Sequence, residues 1–315
     1  MTPNPARVEK DTMTTQSRTI APALMPAEIT GYTRKVAIAA LASQMLIVLT
    51  GGLVRLTASG LGCSTWPRCS ADALTATPEL GIHSYIEFGN RLLTFVLLAV
   101  AILSVLAVWR VGRRDLRLLS LSLLLFVPLQ ALVGMVTVLT HLNPWVVSVH
   151  FLVSMPLVMW ATQFCARVHG APRFATDVTS VRLGRTAGVL TFAILVAGTI
   201  LTGSGPHAGD HGAARTGLDP QVVTPFHSVL IYAIVAVLVV LLLRLTRQGS
   251  PAAGTVWLAL GVVLAQGVIG YIQHFTGLPI PVVAAHMLGS TAVVAAVTFM
   301  NHSVSSASDD APAAS

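Results

Sequence analysis

The sequence predicts an all-α integral membrane protein, with eight transmembrane helices arranged as two pseudo-symmetric four-helix bundles. Three observations carry this. The 315 residues are 54% hydrophobic and only 10% charged, too apolar to clothe a water-facing surface. Eight apolar stretches, at about 36–56, 86–109, 118–140, 147–167, 186–202, 225–244, 254–275 and 282–302, approach the roughly 20 residues that cross about 30 Å of hydrocarbon. A pattern also recurs: Gln130-Ala-Leu-Val-Gly134 followed by His150 returns 136 residues later as Gln266-Gly-Val-Ile-Gly270 followed by His286.

Along the chain, residues 1–35 are mostly polar and lack an apolar signal core, so a disordered cytoplasmic leader is expected. Residues 36–170 hold the first four spans, with a long outer loop after the first. A basic cytoplasmic linker over 171–185 leads to the second four spans in 186–302, of which the fifth overall is the shortest, and a Ser-, Ala- and Asp-rich disordered tail closes the chain at 303–315. The halves match again at Thr57-Ala-Ser-Gly60 and Thr202-Gly-Ser-Gly205, 145 residues apart, and at Asn90 and His227, 137 apart. Each half therefore reads as one four-helix unit.

Orientation follows from the basic residues. With both termini in the cytoplasm, fifteen of the nineteen Lys and Arg fall inside, leaving Arg55, Arg68 and Arg215 outside and Arg91 within a span. The net charge of +7 is then a cytoplasmic rim beside anionic membrane lipid and implies no nucleic acid.

This topology brings the chemistry-bearing residues to the outer face. Glu87 and Asn90 open the second span, His150 the fourth, His227 the sixth and His286 the eighth. Ionisable side chains in apolar spans are costly to keep there without a partner or a task. Imidazoles at matched depth on facing helices are what a heme requires, and His227 with His286 makes the bis-histidine pair of a low-spin heme b. In the first half His150 has Asn90 where His227 stands. His83, four residues before Glu87, either substitutes as a ligand or is a loop residue above the helix.

The run from Gly51 through Arg55, Thr57, Gly60, Cys63, Trp66 and Pro67 to Cys69, followed by Ile86-Glu87-Phe88-Gly89-Asn90-Arg91, resembles the heme A synthase family, over roughly residues 35–302. The resemblance implies an enzyme that oxidises a methyl group of heme O to a formyl group, giving heme A for terminal oxidases. It implies a heme O site in the N-terminal bundle, a heme b in the C-terminal bundle and a required carboxylate at Glu87. It also implies heme O synthase and terminal oxidase assembly as partners. Many family members carry histidine where this chain has Asn90.

Cys63 and Cys69 lie on the oxidising side, six residues apart with no second ligand pair nearby, so a disulfide is expected rather than zinc. It either staples the loop or exchanges electrons. Cys165 reads as a free packing thiol. His207, Asp210 and His211, with Arg215, read as a polar lid over heme propionates rather than a metal site. Arg91 sits one turn from Glu87, where it can pair with it. The electron donor has no flavin, iron–sulfur or quinone signature, and a homo-oligomer is left open. Two other classes compete. A b-type cytochrome relay would want two complete bis-histidine sites, which Asn90 denies; a transporter would want breaks at matched positions, and Pro128 and Pro156 do not match.

Overall fold

The computed structural model describes residues 24–306. The leader expected over 1–35 thus lies outside the described residues up to residue 23, and the tail expected over 303–315 lies outside them from residue 307. Eight long helices occupy the described residues: α1 Gly31–Leu56, α2 Gly81–Val108, α3 Arg114–Leu139, α4 Pro144–Val168, α5 Val178–Ser204, α6 Pro220–Arg247, α7 Ala253–Phe275 and α8 Ile280–Ser303. All eight are long and apolar enough to cross a membrane. Their large side chains face outward freely, with Phe275 77% and Val222 71% exposed, as lipid contact allows and water does not. This is a multi-pass membrane protein.

Local chemistry sets the helix ends. Thr30 and Thr33 form a capping box at the start of α1, and Asn143 caps the Trp145 amide, with Pro144 in the first turn of α4. Asp177 accepts from the amides of Thr179 and Ser180 at the start of α5. Arg244 of α6 also donates to Asp177, and that contact holds the Asp177 carboxyl well below the usual carboxylate range. Gly170 and Gly249, with φ of +67° and +64°, turn the chain beyond α4 and α6.

Several helices run past the apolar stretches. The fifth span, expected over about 186–202, extends back to Val178 and carries Arg182 and Arg185 within the helix. Helix α2 begins at Gly81, after a single 3₁₀ turn at Pro78–Leu80. Hydropathy measures the width of the hydrocarbon, whereas a cap fixes where the helix starts.

In each half the four helices close a ring, α1–α2–α3–α4 and α5–α6–α7–α8, and the halves meet through α1 and α4 against α5 and α8. The arrangement is consistent with the two-fold repeat of the sequence. Core packing concentrates at the inner ends: Leu116, Leu123, Leu157 and Phe164 in the first half, and Leu241, Leu245, Val256 and Met300 in the second. Val48, Met155, Val158, Leu195 and Val294 fill the seam between the halves. Where α4 and α8 finish, β1 (Phe174–Thr176), between the halves, pairs in parallel with β2 (Val304–Ser306), past the end of α8. The histidines of α4, α6 and α8 and Glu87 of α2 lie toward the opposite ends of the bundles.

Candidate functional site

His150 and His286 are each the seventh residue of their helices, α4 and α8; His227 is the eighth of α6 and Asn90 the tenth of α2. Each of the four side chains lies over a glycine of a neighbouring helix. A Cβ added at Gly134 would stand 3.2 Å from Cε1 of His150; at Gly198, 3.2 Å from Cε1 of His227; at Gly270, 3.3 Å from Cε1 of His286. At Gly51 it would stand 3.9 Å from Nδ2 of Asn90. The first three distances are shorter than comfortable carbon contact, so close approach, and not backbone angle, calls for glycine there.

The repeated glutamines hold the same backbone group in each half. Gln130 donates to the His150 carbonyl at 2.7 Å and to Ser154 Oγ at 2.5 Å, and Gln266 donates to the His286 carbonyl at 2.7 Å. Gln266 sits against Gly289, where any Cβ would overlap its side chain. Nδ1 of His227 and Nδ1 of His286 are buried without a hydrogen bond of ordinary geometry, although the Ile194 carbonyl is within reach of the His227 ring. Buried imidazoles with uncommitted nitrogens, seated on glycines that leave lateral room, fit an iron porphyrin. His227 and His286 can hold one such group, and His150 a second.

Glu87 stands one turn before Asn90 and is only 5% exposed. Its Oε2 accepts from the Cys63 amide at 2.7 Å, and Arg91 donates to its Oε1 through Nε at 3.2 Å and also through Nη2. Arg91 reaches onward to the carbonyls of Thr65 at 2.8 Å and Cys63 at 3.2 Å. The carboxylate thus binds the first outer loop to α2. Cys63 and Cys69 are joined by a disulfide, and Gly62 passes so close to the His83 backbone that no Cβ fits. His83 lies in the first turns of α2, exposed, with Nδ1 2.8 Å from Ser59 Oγ.

The second outer loop is held differently. His207 donates through Nε2 to the Leu278 carbonyl at 3.1 Å, Asp210 accepts from the Gly212 amide at 2.9 Å, and exposed Arg215 donates to the Ala213 and Pro206 carbonyls. Among the described residues no group of three His, Cys, Asp or Glu is placed to hold a metal ion. Arg55 crosses between the halves, donating to the carbonyls of His207 at 2.6 Å and Thr202 at 2.9 Å. Gly60 N–H donates to the Gly209 carbonyl at 2.8 Å beside it. Sequence reasoning gave Arg55 and Gly51 no role beyond topology and the family run, and passed over Ser59, Ser154 and Gly198 as site residues. Their partners lie on other elements, and only the repeat of Gly134 and Gly270 hinted at such seats.

The family described as cytochrome oxidase assembly protein matches residues 34–298. A heme A synthase of Lysinibacillus sphaericus is 37% identical over 131 residues, 39% of this chain and 41% of that protein. One from Staphylococcus epidermidis is 35% identical over 113 residues, covering 36% of its length. One from Listeria monocytogenes is 23% identical over 276 residues, 81% of this chain and 90% of that protein. The stronger identities thus span less than half of those relatives' lengths, and the fuller alignment is the more distant one.

Proposed function

The chain belongs to the cytochrome oxidase assembly protein family, and from that premise we propose that it converts heme O to heme A in the cell membrane, with both termini cytoplasmic and its sites toward the outer face. The N-terminal bundle, residues 36–170, receives heme O; the C-terminal bundle, residues 186–302, holds heme b. The observation that carries this is the set of three imidazoles at matched depth, each seated on a glycine of the next helix.

The methyl group of heme O is taken to a formyl group by two hydroxylations, each using one dioxygen, two electrons and two protons and releasing one water, the second leaving a geminal diol that loses a further water. Heme b, when bound between His227 and His286, supplies one-electron transfer. His150 holds the substrate iron, oriented by the Gln130 bond to its backbone. Glu87 holds or passes a proton at its Oε1, and Arg91 with the Cys63 amide fixes where that oxygen stands. The disulfide loop is tied down by those same bonds and shields the site from bulk water. His207, Arg215 and their loop face the propionate side of the second bundle. Heme O synthase supplies the substrate, terminal oxidase assembly takes the product, and the electrons come from a donor in or at the membrane.

The test is pigment analysis of the purified protein from cells supplied with heme O. The parental chain should contain heme A, and His150→Ala should contain none while keeping its heme b. Heme A at the parental level in His150→Ala would overturn the assignment of the N-terminal bundle.

A further inference from the structure

We propose that Asn90 makes the N-terminal site a one-imidazole site, its carboxamide facing the coordination position opposite His150 and leaving that position open to a small ligand. This rests on the heme reading of that bundle. By the repeat Asn90 stands where His227 stands and His150 where His286 stands. The spatial seat is also the same, because Gly51 underlies Asn90 as Gly198 underlies His227.

The amide sits more loosely on that seat. Its Nδ2 lies 3.9 Å from a Cβ built on Gly51, whereas the His227 ring comes to 3.2 Å from one on Gly198, and a carboxamide is a shorter side chain than an imidazole. The Asn90 Oδ1 is buried without a hydrogen-bond partner. A carboxamide oxygen is a poor ligand for heme iron beside imidazole, but it can accept a hydrogen bond from something placed before it.

No other residue of α2 takes over the position. His83 lies seven residues earlier, so at about 1.5 Å of rise per residue it stands roughly 10 Å further along the helix. It is exposed and tied to Ser59. Glu87, between them, is committed to Cys63 and Arg91. The N-terminal slot therefore has one strong protein ligand and one neutral, shorter side chain across from it, whereas the C-terminal slot has two imidazoles.

The experiment uses the full-length protein loaded with heme b: spin state is read from visible and paramagnetic resonance spectra of the oxidised form, and carbon monoxide is titrated into the reduced form and followed by visible spectra. The parental chain should show one low-spin bis-imidazole heme and one heme that binds carbon monoxide. Asn90→His should convert the second heme to the low-spin form and weaken carbon monoxide binding at least tenfold. Asn90→Ala should keep carbon monoxide binding and gain a site for added imidazole, which keeps the proposal testable should the histidine variant fail to fold; the C-terminal low-spin signal reports folding in each case. Two low-spin hemes and no carbon monoxide binding in the parental chain, or an unchanged titration in Asn90→His, would overturn the proposal. Persistence of the carbon monoxide signal in His150→Ala would instead refute the heme reading of this bundle.

Discussion

Glu87 ties the first loop to α2 and, in the proposed function, handles a proton; a pair of substitutions separates the two roles. In Glu87→Gln the amide oxygen can still accept from the Cys63 N–H, but the new NH₂ group must face the Arg91 guanidinium, donor against donor. The change leaves a largely buried Arg91 without its counter-charge, a loss of about 3–5 kcal/mol for a buried pair broken on one side. The loss falls on the bonds tying residues 63–69 to α2, so amides there should exchange faster by up to about two to four orders of magnitude. Adding Arg91→Met removes the orphaned charge. What is then missing is the bonds to Thr65 and Cys63, about 0.5–1.5 kcal/mol each, so about half of the lost protection should return. The assay is hydrogen exchange of the loop in parallel with heme A content. If the carboxylate is needed for chemistry, the double variant regains that share of the loop's protection and still makes no heme A. Heme A at the parental rate in the double variant would mean that Glu87 serves only to hold the loop.

Three further outcomes are expected. His227→Ala and His286→Ala should each remove the low-spin heme b spectrum while the protein still inserts in the membrane; an unchanged spectrum in either would exclude that residue as a ligand. Thiol labelling of the native protein without reductant should reach Cys165 alone, and Cys63→Ser with Cys69→Ser should loosen the outer loop by about 2 kcal/mol in the chain-entropy account while heme content persists; full loss of turnover from an otherwise folded, heme-loaded variant would favour a redox role. Asp177→Ala should fray the first turn of α5 by about 1 kcal/mol, the usual worth of such a cap. Because Arg244 depresses the Asp177 carboxyl, that stabilisation is present above the ordinary carboxylate range and fades as pH falls below about 4; a pH-independent difference in exchange of the Thr179 and Ser180 amides would contradict this.

The spans and the place of the histidines near the starts of their helices were legible because both rest on residue type: hydropathy finds lipid-crossing stretches, and a repeat in fixed register pairs His150 with His286. Helix ends were less legible, since the start of α5 depends on one aspartate outside the apolar stretch. The three-residue strands at Phe174 and Val304 carry no periodicity to detect. Within the site, the sequence offered Glu87 and Arg91 as a pair one turn apart, and the structure forms that pair. It gave no sign of the Cys63 amide on Glu87, nor of Ser59 on His83, each 24 residues apart. The first is a bond to a backbone group, invisible to residue-type reasoning because every residue but proline has the same amide to offer; the second joins two side chains that only the fold of the loop brings together.

Arg55 ends its helix by reaching into the other half, and it bonds to main-chain oxygens there rather than to a side chain. Since a carbonyl is present whatever residue occupies position 202, in the last turn of α5, or position 207 in the loop beyond it, the clasp itself asks for a particular side chain only at Arg55. The clasp is also one-sided. The position 145 residues after Arg55 is Ile200, which has no guanidinium to send back across the seam. The two similar halves are thus stitched at this point by bonds running in one direction, from the first half onto the main chain of the second.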